Sequence, residues 1–233
     1  MAYGHDGSSQ EPNPNARCCP QVLVVKAGTD DEADDATRQT AFTIAVIALS
    51  AKMAKADGQV TPDEVNAFRQ ILDVPEDELK NVGRVFDLAR KDARGFEPYA
   101  KQVAKMFIDR PAVLEELLDA LFHIAKADRI MHPQEEEFLK QVSDIFGFDD
   151  AKFARIRAGH LGADASDPYA ILGVPHDADT DTVRAAWRVL IKENHPDKLV
   201  AEGLPQDFID MATSKMATIN NAWGTIQKQR GLK

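Results

Sequence analysis

The chain has 233 residues, of which 44% are apolar and 28% are charged, the balance of an ordinary globular protein. Its formal net charge of −10 argues against broad nucleic-acid binding, because such binding needs a positive field over the phosphates. Residues 167–233 hold 8 Lys or Arg and 9 Asp or Glu, a net charge of −1. The remaining −9 lies upstream, so we expect an acidic first part, a nearly neutral last part and no nucleic-acid partner.

The chain shows no targeting or membrane signal. Its longest apolar stretch, residues 41–49, is about half of the roughly 20 residues that a membrane helix needs. The N-terminal residues are polar and lack the charged-then-apolar order of a signal peptide. Cys18 and Cys19 are adjacent, which favours reduced thiols over a disulfide. We therefore expect no membrane span and a protein that is cytoplasmic, or peripheral at the cytoplasmic face of the inner membrane.

The first two thirds of the chain has the pattern of a helical domain. Residues 1–34 are polar and predict a disordered tail. From residue 35 to 158, apolar residues recur at spacings of three and four, which predicts helices throughout. Six stripes mark six helices: Phe42 to Ala56, Phe68 to Leu72, Leu79 to Leu88, Tyr99 to Phe107, Val113 to Ala125, and Phe138 to Phe146. Short links with Pro or Gly favour antiparallel neighbours, so we predict an antiparallel helical bundle.

A short sequence occurs twice in this bundle. Residues 54–64 and 125–135 are offset by 71 positions and share six of eleven residues, including the run Ala-Lys-Ala-Asp. Such self-similarity predicts two related helix–loop–helix halves. The loops carry acidic residues whose oxygens could bind calcium or magnesium: Asp57, Asp63 and Glu64 in the first, and Asp128, Glu135 and Glu136 in the second.

Helix capping accounts for the same acidic residues more simply. Neither loop has the alternating ligands and the distant Glu of a calcium-binding loop. Residues 61–64 (Thr-Pro-Asp-Glu) match a capping box, in which the Thr and Glu side chains bond to the first free amides of a helix. Residues 132–135 (His-Pro-Gln-Glu) are a weaker version. Capping is therefore favoured, and a metal site is the alternative.

Residues 38–157 resemble the tellurite-resistance-B-like helical domain. The resemblance rests on residues 54–58 (Ala-Lys-Ala-Asp-Gly) with Glu64, and on residues 125–128 (Ala-Lys-Ala-Asp) with Glu135. It implies a fold rather than a biochemical role.

A second domain is predicted at residues 167–233, after a linker of small residues at 159–166. Its pattern predicts a short helix that ends at Gly173, and a longer helix that is capped by Asp177 and ends near Glu193. A third helix begins at Leu204-Pro205. Matched apolar seams on the two long helices predict an antiparallel hairpin with its connecting loop at the tip.

This second domain resembles the J-domain of the DnaJ family. The resemblance rests on residues 169–174 (Tyr-x-Ile-Leu-Gly-Val), residues 184–190 (Arg-x-Ala-Trp-Arg-x-Leu) and residues 219–223 (Ile-x-x-Ala-Trp). It also rests on His195-Pro196-Asp197, called the His-Pro-Asp loop below, with Lys198 after it. A tellurite-resistance-B-like domain before a C-terminal J-domain is the order found in the DjlA-type branch of that family.

The resemblance implies a co-chaperone that docks on the ATPase domain of an Hsp70 and stimulates its ATPase. The implied Hsp70-binding residues are His195, Pro196, Asp197, Arg184, Arg188, Trp187, Lys192 and Lys198. The basic stripe of Arg184, Arg188 and Lys192 lies on one helix face and can steer docking onto an acidic groove. Val189 and Glu193 narrow this stripe where many J-domains carry basic residues. The helical domain would recruit clients or stress machinery.

Other functional classes fit the sequence less well. No nucleophile pattern accompanies His195, so a hydrolase is disfavoured, and we expect neither an enzyme nor a cofactor. The main alternative is a metal- or stress-sensing scaffold with a degenerate J-domain. Such a protein would bind divalent ions through the repeated acidic loops and leave Hsp70 unaffected.

Overall fold

The computed structural model describes residues 31–57, 67, 71, 79–91, 95–127, 131–160 and 167–232. The regular secondary structure of these residues is entirely helical, which confirms the predicted all-α class. The first domain holds α1 (Asp31–Asp57), α2 (Leu79–Lys91), α3 (Glu97–Met106), α4 (Pro111–Ala125), α5 (Pro133–Ile145) and α6 (Asp150–His160). The second holds α7 (Pro168–Leu172), α8 (Thr180–Glu193), α9 (Pro196–Ala201) and α10 (Gln206–Gln229). None of these helices is long and apolar enough to cross a membrane.

Helices α1 to α5 follow the predicted apolar stripes, with differences in detail. The stripe at 68–72 and the cap at 61–64 fall largely outside the described residues. Helix α1 begins at Asp31, before the domain start predicted at 35. On α2, Ala89 takes the buried position and Leu88 is exposed.

Helix α6 was not predicted as a separate element. Its large buried side chains are Phe153 and Ile156, a stripe too short to stand out among charged neighbours. It runs through His160, into the segment predicted as a linker at 159–166.

The core of the helical domain surrounds α1, which contacts α2, α3, α4 and α5. Phe42, Leu49 and Met53 of α1 are completely buried. Helix α4 is buried on nearly every side, which explains why its sequence is apolar almost throughout. The two helices thus form the centre of the bundle.

The second domain contains the predicted hairpin of α8 and α10, which pack together with α7. Its own core consists of Tyr169, Ile171, Leu172, Val183, Leu190, Ile219, Ala222, Trp223 and Ile226, with Ala158 of α6 beside them. Gly173 ends α7 in the left-handed conformation, with φ of 68°, as predicted. The cap of α8 is Asp179 rather than Asp177, because the Asp179 Oδ1 accepts a hydrogen bond of 2.7 Å from the amide of Thr182.

The two domains share apolar core. Leu199 and Leu204, together with Phe208, Ile209 and Ala212 of α10, belong to the buried cluster of the helical domain rather than to that of the hairpin. The ring of Phe208 meets the ring of Phe42 edge to face, with centroids 4.5 Å apart. Such contacts between aromatic rings stabilise beyond the area they bury. The hairpin is therefore packed against the bundle along α9 and the start of α10.

A buried cluster of charges lies beside this apolar contact. Lys215 of α10 places its Nζ 2.9 Å from Glu115 Oε1 and 3.0 Å from Glu116 Oε1, both on α4. Glu115 also pairs with Lys152 at 2.9 Å and with Arg155 at 2.8 Å. On the same side, Asp119 Oδ1 lies 2.9 Å from His160 Nε2 and 4.0 Å from Lys215 Nζ.

Burial and pairing shift the pKa values of this cluster in opposite directions. Burial favours the neutral form of Glu115, but Lys215, Arg155 and Lys152 outweigh it and hold the pKa of this carboxyl well below its usual value. Burial raises the pKa of Glu116 to about 7, with Lys215 opposing the rise and Asp119 adding to it. Burial also acts to lower the pKa of Lys215, yet the three carboxylates raise it overall. Lys215 therefore stays charged.

We predict that Phe208→Ala destabilises the full chain by about 3–5 kcal/mol, because a completely buried ring is lost from the shared core. Urea denaturation measures this change. Val200→Ala is the matched control, since Val200 lies near the same junction but is 56% exposed, and its effect should stay within about 0.5 kcal/mol. Equal effects of the two substitutions would contradict the shared core.

We predict that Glu116→Gln changes how stability depends on pH. Because folding raises the pKa of Glu116 from 4.5 to about 7, the folded state holds this proton more tightly. This contribution to stability is present at acid pH and is lost as the pH rises through about 7. The free energy of unfolding of the wild type should thus fall by about 2–3 kcal/mol relative to the variant between pH 5 and pH 8.

Urea denaturation of both proteins at several pH values tests this expectation. Burial and His160 lower the pKa of the neighbouring His123, so the folded state binds this proton less tightly than the unfolded state. The contribution of His123 to stability therefore rises with pH, opposite to that of Glu116. That contribution is common to both proteins, so the difference between them isolates Glu116. Parallel pH profiles would show that Glu116 keeps its ordinary pKa.

Candidate functional site

The His-Pro-Asp loop connects α8 to α9. Asn194 ends α8, and its buried side-chain amide donates a 2.8 Å hydrogen bond to the carbonyl of Leu190. His195 is the N-cap of α9, and Pro196 occupies the first position of that helix, where its missing N–H leaves no bond unmade. The loop is therefore a turn between two helices, held on both sides by local hydrogen bonds.

The side chains of His195 and Asp197 are accessible. His195 is 47% exposed and Asp197 is 92% exposed. The Nδ1 of His195 accepts a 3.2 Å hydrogen bond from the amide of Asp197. In a neutral imidazole this leaves Nε2 to carry the proton, so the ring can donate to a partner. Asp197 is a carboxylate that can accept from one.

The basic stripe continues from the loop along α8. Arg188 and Lys192 are exposed. Arg184 pairs with Asp181 at 3.0 Å and lies 6.0 Å from the centre of the Trp223 ring. An exposed ion pair of this kind is weak, so Arg184 can leave Asp181 and pair with a carboxylate of another protein. Lys198, in the first turn of α9, adds another exposed cation beside the loop.

Trp187 has a structural role in addition to its place beside the stripe. Its ring stacks on Trp223 with centroids 5.5 Å apart, and its Nε1 donates a 2.9 Å hydrogen bond to Asn220 Oδ1. These contacts join α8 to α10, while part of the ring remains exposed. Val189 and Glu193 are exposed beside the stripe.

Two features of the site were not predicted from the sequence. The first is the side-chain hydrogen bond from Asn194 to Leu190, because the proline marks the end of the helix but not this bond. The second is the position of Leu199, just after the loop, which is completely buried in the core of the helical domain. Nothing in the local apolar pattern distinguishes Leu199 from a residue of the hairpin's own core.

The acidic residues of the repeated loops are only partly described. Asp63, Glu64 and Asp128 lie outside the described residues, as does the side chain of Asp57. Glu135 accepts a 2.9 Å hydrogen bond from the backbone amide of His132, which is the capping bond expected at the start of α5.

Glu136 has a different partner, since its Oε1 pairs with Arg157 Nε at 2.8 Å. In the part of the chain that the structure describes, His, Cys, Asp and Glu residues form no group suited to a metal ion. The hydrogen bond of Glu135 supports capping at the start of α5.

Comparison with known families matches two stretches of the chain. The family described as tellurite resistance protein TerB matches residues 43–158, and the DnaJ domain matches residues 167–230. No solved structure matches the chain.

Curated relatives match most of the chain. The co-chaperone protein DjlA of Vibrio parahaemolyticus is 28% identical over 250 residues, which cover 94% of this chain and 88% of the relative. DjlA of Aliivibrio fischeri is 27% identical over 234 residues, covering 86% and 83%. DjlA of Salmonella typhimurium is 26% identical over 226 residues, covering 86% and 84%. The chain thus has a TerB domain followed by a DnaJ domain, and it is similar to DjlA proteins along most of its length.

Proposed function

We propose that this protein is a co-chaperone that stimulates the ATPase of a DnaK-type Hsp70. The observation that carries the proposal is the exposed His-Pro-Asp loop, which stands beside exposed cations in a domain of the DnaJ type. The names of the relatives, co-chaperone protein DjlA, support the same function. The protein then acts as a regulator rather than an enzyme, and the chemistry of ATP hydrolysis belongs to the Hsp70.

The residues of the site have complementary tasks in this mechanism. Arg188 and Lys192 steer the hairpin onto an acidic groove, which raises the association rate at low salt. Asp197 accepts a charge-assisted hydrogen bond from a cation of the partner, and His195 donates from Nε2. Pro196 fixes the backbone of the loop, so less conformational freedom is lost on binding.

The helical domain recruits clients or stress machinery in this proposal, and the protein works in the cytoplasm. Because the domain packs directly on the hairpin, anything bound to it is held at high effective concentration next to the Hsp70. Hsp70-dependent refolding of a denatured model protein tests this role. Stimulated ATPase without improved refolding would count against client recruitment.

We predict that His195→Gln abolishes stimulation of Hsp70 ATP turnover without unfolding the chain, because the imidazole is 47% exposed and its hydrogen bond to the amide of Asp197 is local to the loop. Single-turnover hydrolysis with a purified bacterial Hsp70 measures stimulation, and circular dichroism measures folding. His176→Gln is the matched control. His176 is also exposed; it pairs with Asp167 and packs against the ring of Tyr169 at the opposite end of α8 from the loop, so stimulation should be unchanged. Full stimulation by the His195 variant would refute the proposed function.

We predict that Arg188→Gln raises the half-saturating concentration of this protein about twofold to fivefold at low salt, the effect of losing one exposed ion pair. The difference from the wild type should shrink at high salt, where exposed charges are screened. Lys228→Gln is the control, because Lys228 is exposed in the last turn of the same hairpin, far from the loop. Equal effects at both salt concentrations would exclude electrostatic steering by Arg188.

A further inference from the structure

The segment after the His-Pro-Asp loop is held by the helical domain rather than by the hairpin. Leu199 lies two residues after Asp197 and is completely buried in the core of the helical domain. Leu204 and Phe208 follow it into the same core. Gly203, with φ of 75°, turns the chain between these anchors. The short helix α9 therefore has one end in the loop and its buried face in the neighbouring domain.

Polar contacts also hold α9 and α10 against α4. Arg110, at the start of α4, donates a 3.0 Å hydrogen bond from Nη1 to the carbonyl of Glu202, at the end of α9. Lys215 of α10 is held by Glu115 and Glu116 of α4. A buried cation needs its carboxylates within hydrogen-bond distance, so this pairing tolerates little displacement of α10 against α4.

Backbone hydrogen bonds connect these anchors to the loop. The amides of Lys198 and Leu199 donate to the carbonyl of His195, at 3.0 and 3.3 Å. A displacement of Leu199 would therefore move His195. The side chains of His195 and Asp197 nevertheless remain exposed, so the contact between the domains supports the loop without covering it.

We infer that the helical domain positions the His-Pro-Asp loop for its partner, with Lys215 and Arg110 as positioning residues that act through α9 and α10. This inference rests on the proposed function and deepens it. The helical domain would affect Hsp70 binding indirectly, by holding the loop in place, and would not itself contact the Hsp70. When the junction is loosened, the loop occupies its binding-competent orientation for only a fraction of the time. The apparent affinity for Hsp70 is then multiplied by that fraction.

The experiment uses two variants of the full chain that loosen the junction from opposite sides. Lys215→Met removes the cation from α10, and Arg110→Gln removes the bond from α4 to α9. Arg110 is partly exposed, so its variant remains informative if Lys215→Met fails to fold. Arg90→Gln is the matched control, because Arg90 is an exposed arginine of the same domain on α2. Lys215→Arg keeps a cation among the carboxylates and tests for rescue.

Two measurements are made on each folded variant with a purified bacterial Hsp70. Hydrogen exchange of the amides at 198–204 should accelerate in Lys215→Met and Arg110→Gln, while exchange within α8 stays unchanged. The half-saturating concentration for ATPase stimulation should rise about threefold to tenfold, corresponding to a competent fraction of roughly a third to a tenth, with the maximal stimulation retained. Arg90→Gln should match the wild type, and Lys215→Arg should recover most of the loss.

Several outcomes would overturn the inference. Faster exchange at 198–204 with an unchanged half-saturating concentration would show that the junction is structural only. A higher maximal stimulation would show that the helical domain restrains the loop instead of positioning it. Failure of the proposed function looks different, since the wild type would then give no stimulation that depends on His195.

Discussion

The side chain of Lys215 is only 12% exposed, and a cation so largely buried is tolerated only where carboxylates surround it closely. Those carboxylates belong to α4, the most completely buried helix of the bundle. The pairing therefore decides where α10 lies, and with it the position of the whole hairpin. Phe208 and its apolar neighbours bury apolar surface along the same contact. The ion pairs of Lys215 allow few other positions of α10 along α4.

This arrangement divides α10 between two tasks. Its first turns complete the core of the helical domain, whereas Ile219, Trp223 and Ile226 complete the core of the hairpin. A single helix thus passes through both domains, and its rigidity transmits the position of one to the other. The His-Pro-Asp loop stands just before this shared helix, which explains how its side chains can be exposed while its base is fixed.

Much of the local structure could be predicted because it depends on spacing along the chain. The apolar stripes of α1 and α3 to α5, the glycine stop at Gly173 and the helix end before Pro196 each follow from a few consecutive residues. The wrong helix cap arose where neighbouring residues offered equivalent choices. Asp177 and Asp179 are both good caps, and only the path of the backbone placed Asp179 beside the amide of Thr182.

The sequence by itself determined the two domain types, the helical class and the residues of the His-Pro-Asp loop, because periodicity and short motifs carry that information. It could not show which core receives Leu199, since an apolar residue fits either domain. Nor could it show that Glu115 and Lys215, distant in the chain, would share one buried cluster. Only the tertiary structure decided these contacts, because burial and charge pairing depend on which surfaces meet rather than on their order in the sequence.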